Sequence, residues 1–176
     1  MHRMLLLATC LIAAACANTV RQANDNSISD DYAELRDSTC YTVDLFDTFD
    51  VQPAAADVPP QYAAFLGEWG YGAWNGEWCH DLLVLSVTPG GEVDLLAMHA
   101  PSLPLNQPAT VFRRKAFVDI NGTLRYAHGK ERHVYRIDGP YLVGQRTGNV
   151  GDFQIAMTRK GVVPSPVAKP IRLASK

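Results

Sequence analysis

The chain has 176 residues, 47% of them hydrophobic and 19% charged, with four cysteines and a formal net charge of −2. That balance describes a folded globular protein and excludes a disordered or fibrous one. Near-neutral charge argues against a dedicated nucleic-acid binder, which carries a concentrated basic face.

Residues 1–15 read as a signal peptide: Met1-His2-Arg3 is a short basic region and Met4 to Ala15 an apolar stretch, too short to span a bilayer as a mature helix. The run Ala13-Ala14-Ala15-Cys16 resembles the bacterial lipobox, which implies acylation of Cys16 and attachment to a membrane through that lipid. Leu11 stands two positions before the usual lipobox leucine, and ordinary cleavage after Ala15-Cys16-Ala17 is the alternative. Ala17, rather than Asp, follows the cysteine. In the lipoprotein pattern this implies the periplasmic face of the outer membrane; without acylation the protein would be soluble in the periplasm.

Residues 16–37 are polar and acidic and are expected to form a flexible tether. The domain is expected over residues 38–160, beginning with a strand across Cys40-Tyr41-Thr42-Val43-Asp44-Leu45-Phe46. With Cys10 and Cys16 set aside, Cys40 and Cys79 remain as one pair. In an exported chain they are expected to form a disulfide, two buried thiols being the alternative. A short helix is expected from Pro60 to Leu66, with Asp57 available as its cap and the prolines held to the first turn. Cys79-His80-Asp81 contains the residue types of a thiol relay, but consecutive strand residues point to opposite faces and cannot act together.

Strand signals then recur at short intervals. Leu82 to Val87 and Glu92 to His99 flank Pro89-Gly90-Gly91, and Val111 to Ile120 and Thr123 to His128 flank the hairpin dipeptide Asn121-Gly122. Glu131 to Ile137, Tyr141 to Thr147 and Asp152 to Lys160 follow, separated by glycine-bearing turns. Seven or eight strands with no crossover helix predict an all-β fold, a small antiparallel up-and-down barrel whose closure removes exposed edges. The proline-rich tail, residues 161–176, cannot continue the sheet. In Arg113-Arg114-Lys115, alternation splits the charges between two faces, so a solvated hairpin is expected rather than an anion patch.

Gly67-Glu68-Trp69, Gly72-Ala73-Trp74 and Gly76-Glu77-Trp78 repeat a Gly-x-Trp pattern, which resembles that of the lipocalin-like, or calycin, barrels. Trp74-Asn75-Gly76-Glu77-Trp78, Leu83-x-Leu85-x-Val87 and Val134-Tyr135 resemble a group of bacterial envelope lipoproteins and appended domains. The resemblance covers roughly Gly67 to Arg159. It implies a tryptophan stacked under a basic residue of the last strand at the closed end: Arg159 with one of Trp69, Trp74 and Trp78, assigned to the barrel floor as Trp69 with Arg159. It also implies a cavity for a small apolar or amphiphilic ligand, with Trp74, Trp78 and Tyr126 as lining residues. Strand parity puts Arg146 on one face with Leu142 and Gly144, where it reads as a rim charge, the alternative being a ligand-binding handle inside that cavity.

His80, His99, His128 and His133 lack paired zinc spacing, and no nucleophile elbow, phosphate loop or dinucleotide fingerprint is found. No catalytic residue, metal or cofactor is assigned. The expected function is a non-catalytic exported binding barrel; the alternative is a structural or protein-interaction module with a filled interior.

Overall fold

The computed structural model describes residues 32–36, 40–42, 45, 48–103 and 106–161. The signal peptide, Cys16, most of the tether and the proline-rich tail lie outside them. Eight strands form a closed antiparallel up-and-down barrel in chain order: β1 Gly67–Trp74, β2 Trp78–Val87, β3 Glu92–His99, β4 Thr110–Val118, β5 Thr123–His128, β6 Glu131–Asp138, β7 Tyr141–Gly148 and β8 Gly151–Lys160. Pairing of β1 with β8, including Trp69↔Arg159, closes the ring.

Turn chemistry sets the registers. Asp119 Oδ1 accepts from the backbone N–H groups of Asn121 and Thr123 across the Asn121-Gly122 turn. A second Asn-Gly dipeptide, Asn75-Gly76, joins β1 to β2 with both residues at positive φ, 51° and 76°. Beyond it Trp74 pairs with Trp78.

Alternation then fills the barrel. Leu82, Val84, Leu95, Leu124, Leu142, Ile155 and Met157 are fully buried in its lower half. Gly144 makes room there for Tyr135, whose ring atoms lie 2.5 Å from where a Cβ would stand. Below this layer the Arg159 guanidinium sits 4.1 Å over the Trp69 ring. Trp69 Nε1 donates to Phe65 O at 2.9 Å, and Arg159 donates to the carbonyls of Leu66, at 2.7 Å, and Ala64. Of the three tryptophans, Trp69 is therefore the one stacked on Arg159.

The described residues before β1 pack on the outside and on the floor of the barrel. A single helical turn, α1 at Pro60–Ala63, has Pro59 at its N-cap and no side-chain cap bond, so Asp57 does not cap it. Phe65 and Leu66 behind it plug the floor. Leu45, Phe49 and Val51 pack on the outward residues Leu83, Leu85, Leu96 and Met98 of β2 and β3.

Cys40 and Cys79 are disulfide-bonded, with Cα atoms 5.4 Å apart. Nearby, buried Asp81 accepts from Thr42 Oγ1 at 2.9 Å and pairs with Lys160 at 3.0 Å. Cys40, Tyr41, Thr42 and Leu45 are not in a strand, contrary to expectation. The pairings account for this: β2 is flanked by β1 and β3, and where the pairing of β1 with β8 ends at Gly70 the place beside Gly72 is taken by an isolated bridge from Arg36, so the disulfide and not a ladder holds Cys40.

Candidate functional site

Two hairpins bring a row of side chains to one height. The tight turn at Gly129-Lys130 pairs His128 with Glu131 and therefore Tyr126 with His133. The turn at Gly139-Pro140 pairs Asp138 with Tyr141 and therefore His133 with Arg146, and β8 adds Phe153 beside Arg146. Tyr126, His133, Arg146 and Phe153 thus stand side by side on four strands, all on the inward parity. Across the barrel, His80 pairs with His99, and Trp78 stacks on His99 with ring centroids 4.7 Å apart.

These residues line or underlie a cup of about 580 Å³ at the end of the barrel away from Trp69. Its walls include Trp78, His99, Phe112, Tyr126, His133 and Arg146. β4 and β5 register only at Phe117↔Arg125 and Val118↔Leu124, so the wall is splayed toward the mouth. There Phe112 remains 38% exposed.

Of the expected lining residues, Trp78 and Tyr126 are brought together with Arg146. Trp74 is not in the wall. It lies one layer deeper, 1% exposed, with its ring 5.3 Å from His80 and 5.9 Å from His133, because the β1–β2 turn tucks it under Trp78. Arg146, 6% exposed, is in the cup rather than a rim charge. Of the basic triplet, Arg113 and Lys115 point outward to Asp94, while Arg114 reaches the cup and lies 4.4 Å over the Phe112 ring.

The three buried histidines and Tyr135 are the members that sequence reasoning did not assign. Strand parity is their signal: His80 shares a face with Leu82 and Val84, His99 with Leu95 and Ala97, and His133 with Tyr135. The Tyr135 hydroxyl is the hub beneath the cup, 3.2 Å from His80 Nε2, 3.4 Å from Tyr126 Oη and 3.5 Å from His133 Nδ1.

Electrostatics keep this cluster neutral apart from one ion pair. Arg146 donates to Glu131 Oε1 at 2.5 Å, and its guanidinium lies 5.1 Å from Trp78 and 5.4 Å from Phe153. Burial, then Arg146, push His99 down to about 3. The same two causes bring His133 to about 4, outweighing Glu131, whose carboxylate is 3.8 Å from its Nε2. His80 is held well below its usual range by burial and by His99 and His133.

Burial pushes the Tyr126 hydroxyl up to about 12 and that of Tyr135 well above its ordinary value. At neutral pH the site therefore offers neutral imidazoles, protonated phenols, ring faces and one buried cation. Among the described residues no group of three His, Cys, Asp or Glu side chains is placed to hold a metal ion. No protein-family model, curated protein or solved structure matches the chain.

Proposed function

We propose that this is an exported envelope lipoprotein of lipocalin-like type that holds a small apolar or amphiphilic molecule in the cup, without catalysis. The observation that carries the reading is the cup itself: about 580 Å³, open at one end and lined by aromatic rings together with polar and charged side chains. Its volume is within the range of small-molecule sites, whose walls are largely apolar with a few placed polar groups. Trp69 under Arg159 at the closed end supports the lipocalin-like assignment. A non-catalytic role is supported by the phenols, which burial keeps protonated at neutral pH and which therefore make poor nucleophiles.

A second reading, a structural or interaction module, is favoured by the lower half of the barrel, which is packed with its own side chains. The membrane anchor of the first reading is acylated Cys16, with the barrel in the periplasm.

Intact-mass and native mass spectrometry of the protein purified from its own envelope test both halves together. The expected result is acyl mass on Cys16 and a copurifying small molecule released on denaturation. Bare protein with no bound molecule, and no binding of added lipids, would favour the structural reading.

A further inference from the structure

We infer that the molecule held in the cup is an anion, a carboxylate with a flat apolar body whose charge is met by Arg146. The inference rests on the reading of the cup as a binding site and gives that site its ligand class. Arg146 is unusually deep for a guanidinium, at 6% exposure. Its Nη2 donates to Glu131, but Nε and Nη1 have no hydrogen-bond partner among the described residues. A guanidinium carries five donors in a fixed fork, and burying it with most of them unmatched is costly. The faces of Trp78 and Phe153 hold its plane but replace only part of the lost hydration.

The remaining charges point the same way. Arg114, Lys130 and Arg146 line the cup against one carboxylate, Glu131. A cationic ligand would meet three like charges, and a neutral one would leave Arg146 as it stands. Nε and Nη1 are themselves closed to solvent, so an entering carboxylate reaches the fork by replacing Glu131 at Nη2 and pairing there bidentately with Nη2 and its neighbouring donor. Glu131, with 27% of its side chain exposed near the rim, occupies the place such a group would take and can swing outward to yield it. The body of the ligand follows from the walls: Trp78, Phe112 and Tyr126 line the cup beside Arg146, and the Phe112 ring keeps 38% exposure at the mouth. Flat faces of this kind favour an aromatic or fused-ring body over a flexible chain.

Calorimetric titration of the full-length protein with three probes sharing one ring system tests this: 2-naphthoate, 2-naphthalenemethanol and 2-naphthylmethylamine. Naphthoate is expected to bind at least about tenfold more tightly than the alcohol, and the amine most weakly. In Arg146→Met the ratio of naphthoate to alcohol affinity should fall to about one. Near-UV circular dichroism checks that this variant is folded. Glu131→Gln should strengthen naphthoate binding and raise the ratio of naphthoate to alcohol affinity.

Equal binding of naphthoate and alcohol by the wild type overturns the charge inference while leaving the cup a binding site. Absence of binding by all three overturns the cup reading as well. A preference for naphthoate that survives in folded Arg146→Met, or naphthoate binding weakened by Glu131→Gln, removes the assignment to Arg146.

Discussion

Trp69→Ala is expected to destabilise the barrel by about 3–5 kcal/mol, the range for removing a fully buried tryptophan. Three losses coincide. The indole is 2% exposed and contributes a large part of the floor. Phe65 O loses the donor at 2.9 Å that satisfies it, and a buried carbonyl without a partner is costly. Arg159 loses the ring face that it covers at 4.1 Å, although its bonds to Leu66 and Ala64 remain. For a domain of this size the cost corresponds to a fall of about 10–20 °C in melting temperature. Trp69→Phe, which keeps a ring but not the indole donor, should cost much less. A melting temperature within a few degrees of wild type for Trp69→Ala would show that the floor does not depend on this stack.

Acidification should unfold the protein through the histidines of the cup wall and the layer beneath it before most carboxylates respond. His99 and His133 titrate near 6.5 when unfolded and at about 3 and about 4 in the fold. Their folded values are depressed, so their contribution to stability is fully present above pH 6.5 and is lost as pH falls toward the folded values. Between pH 8 and pH 5 each withdraws about 2 kcal/mol, because the unfolded chain takes up a proton that the fold refuses. His80 acts in the same direction.

Carboxylates such as Asp94, held low by Arg113, add their loss only at lower pH. Urea midpoints measured at pH 8, 6 and 5 should therefore fall progressively. His99→Phe, which keeps a flat ring without a titrating nitrogen, should flatten part of that slope. Midpoints that do not change between pH 8 and pH 5 would mean the histidines are not buried as neutral groups.

The legible parts of the fold are those written in short-range chemistry. Asn121-Gly122 and the other glycine turns mark the hairpins, and once turn lengths are known the register follows by counting, as from Gly139-Pro140 to His133↔Arg146. β1 is harder to read: Gly67–Trp74 carries three glycines and a register shift between Trp69 and Gly72, and a bulge breaks the two-residue period on which strand reading relies. The segment at Cys40 has strand-like alternation, yet whether it joins the sheet depends on a free edge, a property of the closed barrel and not of the segment.

For the site, parity identifies which side chains point inward but not how deep each one sits. Depth depends on the stagger of strands around the barrel, which the sequence of one strand does not contain. Trp74 and Trp78 share a parity and differ only in depth, which is why one belongs to the wall of the cup and the other to the layer beneath. Arg146 shows the same limit: a charge near a strand end could be rim or interior, and the placement of Phe153 and Trp78 against its guanidinium decides for the interior.

The central claim, that the cup and not the floor is where a small molecule binds, is tested most directly by the three tryptophan indole N–H signals in a ¹⁵N–¹H spectrum. Trp78 lines the cup and donates to Ala100 O at 2.6 Å; Trp69 is bonded to Phe65 at the opposite end. Titration with 2-naphthoate, or with a lipid extract of the native envelope, should move the Trp78 indole signal saturably, and that signal is assigned by its loss in Trp78→Phe. The Trp69 signal should stay in place. A saturating titration that leaves Trp78 unmoved, or that shifts Trp69 as much, would contradict the account.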